Sequence, residues 1–322
     1  ITSLDHLNPA MLERGRLSGF KHIFFDGEGT AGTFNQSVSA LRKKNVKAIG
    51  AVYHIFDFFL PEWRAQAKSK EYLKTGMKLK ELMDAGTVTD PKVGYVGAYP
   101  YAEVVCGYTA FLLGIQTQVP EAYMEVQYTN SWFNITAENE AAKALIADGC
   151  IIVSQHADST GAPSACQEAL DAGTTVYCVG YNVDMLAVAP TAALTSPTNV
   201  WEVFYEYAFN AVMNGESFDT NWSQGYEADA VKLTPLGESC APGTQEKVDE
   251  AIAAIKDGSL HVFDTSKFTV GGETVTSAFA TDTDGDFTPD ADEAIFDGYY
   301  HESYFQSAPS FQLRIDGITE LN

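Results

Sequence analysis

The chain has 322 residues, 45% hydrophobic and 20% charged, which is close to the ordinary globular composition and argues against a fibre or a disordered chain. Its 20 basic and 43 acidic side chains give a formal net charge of -23, so it should repel nucleic acid and anionic lipid surfaces. No apolar run approaches the roughly 20 residues that a membrane-spanning helix needs.

The first 91 residues carry few predicted elements. Lys21–Phe25 and Val46–Val52 are rich in β-branched and aromatic residues and are predicted to be strands. The ranges 35–44 and 62–85 are predicted to be helical. Two strands are too few for an independent sheet. We therefore expect later segments of the chain to complete the lobe that these first 91 residues begin.

A glycine-rich segment, Gly27–Gly32, follows the first predicted strand and formally satisfies a dinucleotide-binding fingerprint. Acidic side chains flank it at Asp26 and Glu28, and no acidic residue ends the next strand about 20 residues on. We therefore interpret the segment as a glycine-rich turn with another role. An NAD-dependent oxidoreductase stays an alternative.

From Lys92 onward, short β-branched or aromatic runs alternate with helical stretches at near-constant spacing. Thr136 is placed to cap the second of these helices, Pro163 to open the third and Gly173 to end it. Such repeated βαβ units predict a doubly wound α/β lobe with a parallel sheet. The predicted strands are Lys92–Gly97, Met124–Tyr128, Cys150–Ser154 and Val176–Val179, and the predicted helices are 102–117, 136–148 and 163–172.

The carboxyl-terminal third is predicted to be a cap rather than a further domain. Helices are predicted at about 200–213 and 244–257, the second amphipathic through its apolar residues at helical spacing. Phe268–Thr276 is predicted to form a hairpin, because Gly271 and Gly272 can supply positive φ in its turn.

The five cysteines contain no CxxC pair, and their odd number excludes complete internal pairing. Cys150 and Cys178 lie in apolar, strand-like runs, so we expect buried structural thiols there and no nucleophile.

An acidic segment near residue 285 has the oxygen-ligand density of a calcium loop. The EF-hand spacing fails, because Ala280 and Ala291 would occupy its first and twelfth positions. A solvated loop is the preferred interpretation, and no other metal or cofactor is expected. The candidate calcium ligands are Asp282, Asp284, Asp286 and Asp290.

Several segments together resemble one known family. They are Gly29–Ser37 and, with matching order and spacing, Lys92–Tyr99, Trp132–Asn134, Glu140–Gly149, Ile152–His156, Val176–Asn182 and Ala193–Ser196. Over about residues 70–225 the chain resembles the basic membrane protein (BMP) lipoproteins, which are purine-nucleoside-binding components of ABC transporters. The amino-terminal third matches this family poorly.

The resemblance implies an α/β fold like that of type I periplasmic binding proteins. Two doubly wound parallel-sheet lobes would be joined by a hinge, with the ligand enclosed between the carboxyl ends of both sheets. The first lobe would comprise 1–90 plus about 222–322, including the hairpin and cap, and the second about 91–221. The first lobe is expected to be short of strands relative to the family.

The candidate binding residues follow predicted strands, where open parallel sheets bind ligands. Aromatic rings beside amides and carboxylates suit a flat heterocycle, and these loops lack the arginine that a charged sugar or phosphate would need. Each residue has a structural alternative, such as covering a sheet edge, shaping a loop or capping a strand. The candidates are Asp26, Phe34, Asn35, Tyr99, Tyr101, Trp132, Phe133, Gln155, His156, Asp158, Tyr181 and Asn182.

Two departures from the family affect the expected ligand. Gly180–Asn182 stands where nucleoside binders of the family carry Asp-x-Asp, and Pro197 and Thr198 stand close to where they carry a lysine. The family's charged groups are associated with the ribose hydroxyls, so a free purine base or another heterocycle is as plausible as a nucleoside.

The resemblance also implies a cellular role. We expect an extracytoplasmic binding protein without enzymatic activity, whose partners are a heterocyclic ligand and an ABC permease. In the full-length protein a lipid anchor outside this chain would be the link to the membrane. A ligand-sensing domain without a transport role is an alternative.

Overall fold

A computed structural model of the protein describes residues 76–219, 221–281 and 289–322, together with the strands β1 (Phe24–Thr30), β2 (Val52–Phe59) and β3 (Gln66–Ala67). Residue contacts divide the chain into two compact units. The smaller comprises 1–64 and 204–222, and the larger comprises 65–203 and 223–322.

The described strands of the smaller unit, β1 and β2, form an antiparallel pair. Gly27 lies opposite Ile55 and Thr30 opposite Val52. The prediction of a turn is therefore wrong for Gly27 to Thr30, because these residues continue a strand. The predicted strands at 21–25 and 46–52 overlap the described strands at Phe24, Phe25 and Val52, and their other residues lie outside the described ones. The predicted helix at 35–44 lies outside the described residues.

The larger unit is built on a six-stranded sheet in which every described pairing is parallel. This confirms the predicted α/β class. The strand order is β18-β5-β4-β6-β7-β8. The strands are β4 (Lys92–Gly97), β5 (Tyr123–Tyr128), β6 (Ile152–His156), β7 (Tyr177–Val179), β8 (Ala193–Thr195) and β18 (Ile318–Glu320).

Helices alternate with these strands, and the three crossover helices lie near their predicted positions. The predicted helix at 62–85 is wrong at Gln66–Ala67, which form β3, and its end is observed as the helix Met77–Asp84. Asn134 caps the second crossover helix, because its side-chain oxygen accepts a hydrogen bond from the Ala137 N–H at 3.1 Å. The prediction of Thr136 as the cap is therefore wrong. The helices are α1 (Met77–Asp84), α2 (Ala102–Gln116), α3 (Ile135–Ala147) and α4 (Gly161–Asp171).

Helix α2 is buried all round, with every residue from Val104 to Ile115 inaccessible or nearly so. A surface helix would show a polar face, so this helix must be covered on both sides. Its apolar residues share one core with the sheet and with aromatic side chains from the end of the chain, among them Phe263, Tyr300 and Phe311. The carboxyl-terminal segment therefore supplies the second cover.

The remaining elements include the predicted hairpin, whose turn has positive φ at Gly271 and Gly272. Helix α6 also follows its prediction and packs its apolar face near Tyr226 and Val231. These elements are β9 (Pro197–Asn199), α5 (Trp201–Asn214), β10 (Ser223–Gln224), β11 (Val231–Leu233), α6 (Thr244–Lys256), β12 (Thr269–Val270), β13 (Glu273–Thr274), β14 (Phe279–Thr281), β15 (Pro289–Glu293), β16 (Ile295–Phe296) and β17 (Tyr299–Tyr300).

The contact-based units differ from the predicted lobes at the end of the chain. Residues 223–322 group with the six-stranded sheet, because β18 pairs beside β5 and Ile318 lies opposite Met124. The sequence-based division assigned this segment to the first lobe. The division into two lobes itself stays a prediction.

Within the described ranges, no helix has the length and apolarity needed to cross a bilayer. The described residues likewise contain no cluster of three His, Cys, Asp or Glu side chains arranged for a metal ion. The side chains of the calcium candidates Asp282, Asp284, Asp286 and Asp290 lie outside the described part. All five cysteines are free, and burial raises the pKa of the Cys150 thiol to about 12.

Candidate functional site

The strand order creates a crevice at the carboxyl edge of the sheet. The chain passes from β4 to β5 in one direction and from β5 to β6 in the other, so right-handed crossovers put α2 and α3 on opposite faces. The step from β6 to β7 runs in the same direction as that from β5 to β6, so α4 lies on the same face as α3. The adjacent strands β4 and β6 are thus followed by helices on opposite faces of the sheet, α2 and α4. Open α/β sheets bind ligands at such a switch point.

Five rings from four successive strand ends form a continuous row at this edge. The Tyr99 and Tyr101 rings stack with centroids 5.0 Å apart, and the Tyr99 and Trp132 centroids are 5.5 Å apart. The Trp132 and His156 centroids are 6.4 Å apart, and those of His156 and Tyr181 are 4.2 Å apart. We call this set the aromatic row: Tyr101, Tyr99, Trp132, His156 and Tyr181.

Exposure falls along the aromatic row. Tyr101 is 54% exposed, and Tyr99 and Trp132 are half-buried. His156 and Tyr181 are 3% and 7% exposed. The row therefore combines an accessible end, where a planar molecule can stack, with a buried end fixed by packing.

His156 is positioned by helix α2. Its Nε2 lies 3.4 Å from a carboxylate oxygen of Glu103, and a Cβ added to Gly107 would lie 2.7 Å from its Nδ1. Only glycine at position 107 leaves this space for the ring. The Nδ1 atom is buried and has no hydrogen-bond partner among the described residues.

Gln155 and His156 are predicted from sequence to lie in a loop after a strand at 150–154. In the structure they are the last two residues of β6, and His156 pairs with Gly97 of β4. Sequence reasoning also missed Glu103 and Gly107. The available signal was the position of Glu103 in the first turn of the helix after β4.

The buried carboxylate of Glu138 connects the loop that carries Trp132 to the loop that follows His156. Glu138 is fully buried, and its two oxygens accept hydrogen bonds from the backbone N–H groups of Asn134 at 3.0 Å and Ser159 at 3.2 Å. The Asp158 N–H donates to the Trp132 carbonyl at 2.7 Å. These bonds fix the Trp132 backbone before any ligand arrives.

Gln155 and Asn182 make contacts within the protein. The Gln155 amide donates to the carbonyls of Ala157 at 2.7 Å and Ser159 at 2.9 Å. Asn182 has φ of 61°, and its N–H donates to the Pro197 carbonyl at 2.9 Å. Both residues thus shape loops at the site, and their roles as ligand contacts stay predictions.

The structure does not bring every candidate into the aromatic row. Phe133 is 67% exposed, and the Asp158 side chain is also exposed. Asp26 is the third residue of β1, opposite Asp57 and next to a register shift, so its predicted position at a strand end is wrong. Phe34 and Asn35 lie outside the described residues.

Sequence comparison identifies relatives for the middle of the chain. Residues 84–257, more than half of the chain, match the profile of the ABC transporter substrate-binding proteins of the PnrA-like type. A purine-binding protein of Brucella abortus is 36% identical over 170 residues, which cover 53% of this chain and 47% of that protein. A Haloferax volcanii protein, whose name ascribes glucose binding within an ABC transporter to it, is 34% identical over 178 residues, or 55% of this chain and 43% of its own.

The chain therefore spans about half the length of the curated relatives it matches. Among solved structures, an ABC transporter solute-binding protein of Aeropyrum pernix superposes with a TM-score of 0.53 at 16% identity, over 62% of this chain and 65% of that one. At this identity the similarity supports the fold alone, which is that of solute-binding proteins.

Proposed function

The chain belongs to the PnrA-like family of ABC transporter substrate-binding proteins, and from this premise we propose that it binds a purine base, a purine nucleoside or a similar planar heterocycle for import. The observation that carries the proposal is the aromatic row, in which rings from four strand ends meet at the switch point.

The chemistry of the row favours a flat ligand. Aromatic rings stack with heterocycles at about 0.5–1.5 kcal/mol per pair beyond the burial of surface. The half-buried indole of Trp132 and the exposed ring of Tyr101 offer such faces. The described loops after β4 to β7 contain no lysine or arginine, which argues against a phosphorylated ligand.

The named relatives support a purine ligand, and one of them suggests an alternative ligand. The Brucella relative is named for purine binding, whereas the Haloferax relative is named for glucose. Sugars also pack on aromatic faces, so glucose is the alternative ligand that an experiment must address. The lack of the family's charged ribose contacts makes a free base as good a candidate as a nucleoside.

Family membership also guides the cellular role. Substrate-binding proteins of ABC transporters act outside the cytoplasm and deliver a small molecule to a permease. We extend both properties to this chain, with a lipid anchor in the full-length protein. The enclosure of the ligand between two lobes also stays a prediction.

A thermal-shift screen tests the proposal. A ligand at about 100 times its dissociation constant stabilises the protein by about 2.7 kcal/mol. We expect adenine, guanine or their nucleosides to raise the melting temperature, with calorimetry giving the dissociation constant. A response to glucose alone, to NAD(H) alone or to no compound of the panel would contradict the proposal.

A further inference from the structure

A cavity lies in the larger unit, among residues that the aromatic row does not use. It has a volume of about 240 Å³ and is lined by residues of 225–227, 255–262 and 299–304. This is slightly below the roughly 300–1,000 Å³ of pockets for drug-sized ligands, so its occupant would be smaller.

Stacked rings form one wall of this cavity. His261 and Tyr299 stack with centroids 3.7 Å apart at 5°, and His301 lies 3.7 Å from Tyr299. Phe296 continues the stack at 3.4 Å from His301. Tyr304 is 66% exposed among the lining residues. The stacking covers the faces of Tyr299 and His301, so the accessible aromatic ring of the lining is that of Tyr304.

The charge of the lining is acidic. Glu227 and Glu302 contribute carboxylates, and none of the described lining residues is lysine or arginine. Burial raises the pKa of Tyr299, and the charges of Asp297 and Glu302 raise it further, as expected in a negative local potential. Carboxylates beside aromatic faces stabilise a cation.

A buried polar atom supplies an independent indication of an occupant. Ser303 lines the cavity and is only 8% exposed, yet its hydroxyl has no hydrogen-bond partner among the described residues. Buried hydroxyls in folded proteins nearly always have a partner. A bound molecule with a hydroxyl or an N–H group would satisfy it.

We propose that this cavity is a second ligand site, which binds a small organic cation of the alkylammonium class. The exposed ring of Tyr304 receives the cation by cation–π attraction, Glu227 and Glu302 balance its charge, and the Ser303 hydroxyl bonds a polar group of the ligand. The site is independent of the purine site at the aromatic row.

Choline is a suitable probe, because its neutral isostere 3,3-dimethyl-1-butanol has the same shape without the charge. We expect saturable choline binding by calorimetry in buffer of matched ionic strength, and binding of the isostere at least about tenfold weaker. Equal binding of the two compounds, or no saturable choline binding, would overturn the proposal.

Variants locate the site. Glu302→Gln should weaken choline binding about tenfold, whereas Glu238→Gln, the same change at an exposed position outside the cavity, should leave it unchanged. Ser303→Ala tests the polar contact with less risk to folding, and a choline affinity equal to wild type there and in Glu302→Gln would overturn the proposal.

One further variant separates the two sites, because the aromatic row could itself attract a cation. Trp132→Ala should keep its choline affinity, and Glu302→Gln should keep any purine response. A choline response that disappears in Trp132→Ala would place the cation at the aromatic row and overturn the second site, while leaving the purine proposal to its own test.

Discussion

The two ends of the same sheet have opposite chemistry. At the amino end, Lys92 at the start of β4 donates to the carboxylates of Glu125 at 3.0 Å and Asp148 at 2.8 Å. At the carboxyl end, β4 stops at Gly97, next to His156 in the aromatic row. The amino end of the sheet carries ion pairs within the protein, whereas the carboxyl end carries aromatic rings, some of them buried and some exposed.

The pairing at the amino end is visible in the titration behaviour. The hydrogen bonds that Lys92 donates to Asp148 and Glu125 hold the pKa of Lys92 well above its ordinary value, and the bond to Asp148 lowers the pKa of Asp148. Burial raises the pKa of Glu125, so this carboxylate depends on its partner. We therefore expect the amino end to contribute to stability and, under the proposed function, the carboxyl end to contribute to ligand binding.

The largest expected effect is at the carboxyl end. Trp132→Ala removes the central ring of the aromatic row and should weaken purine binding about 100-fold, or about 2.7 kcal/mol, measured by calorimetry. The unliganded melting temperature should change little, because the loop backbone is held by Glu138. Trp201→Ala, which removes another partly exposed tryptophan, is the control. A large loss of stability in Trp132→Ala would make the residue structural and contradict the assignment.

The second-largest expected effect is the loss of the Lys92 ion pairs at the amino end of the sheet. Lys92→Met leaves the carboxylate of Glu125 without its cation, and this side chain is only 14% exposed. We expect a loss of about 2 kcal/mol in the free energy of unfolding, measured by urea denaturation, with ligand affinity unchanged. Lys143→Met disrupts an exposed ion pair with Glu168 and should cost less than about 1 kcal/mol. Equal losses in the two variants would refute the distinction.

A third variant changes a residue of helix α2 that contacts the aromatic row at the carboxyl end of the sheet. Gly107→Ala forces the His156 ring to move and should weaken ligand binding about tenfold, measured by calorimetry. The double variant Gly107→Ala/His156→Ala should regain the stability that the single glycine substitution loses, because the clash is absent. Wild-type affinity in Gly107→Ala would show that the ring position is unimportant.

The smallest effect concerns the edge strand. The carboxylate of Glu320 accepts hydrogen bonds from Tyr108 and Tyr128, both at 2.6 Å, and pairs with Arg314 at 2.8 Å. Burial alone would raise its pKa, but these bonds outweigh it and the pKa falls below the ordinary 4.5. Its contribution is therefore complete above about pH 4.5 and is lost as the pH falls further.

Glu320→Gln should accordingly cost about 1 kcal/mol at neutral pH, measured by urea denaturation. The difference from wild type should shrink in acid, because wild-type Glu320 becomes neutral there as well. A difference that is constant across pH 3 to 7 would mean that the charge of Glu320 contributes nothing.

Much of the larger unit could be predicted from sequence because its periodicity is strong. The strands β4 and β7 show as short, mostly apolar runs, and β5 shows as an alternating run, so all three are predicted within a residue or two. Since parallel strands end at one edge, the convergence of Tyr99, Trp132 and Tyr181 followed.

Other features depend on tertiary contacts that local sequence does not reveal. The edge strand β18 has three residues, and its partner β5 is almost 200 residues earlier in the chain, as the pairing of Tyr128 with Asn322 illustrates. The end of β6 was misjudged because Gln155 and His156 are polar, although both are buried. Gly107 shows its role only beside the His156 ring.

The double cover of α2 has a consequence for biosynthesis. Tyr108 and its partner Glu320 are separated by 212 positions, and translation delivers the apolar helix long before the aromatic residues that shield it. A nascent chain therefore exposes this apolar helix until the carboxyl-terminal aromatic residues have been synthesised. Because such distant contacts slow folding, this unit gives chaperones an extended period in which to bind it.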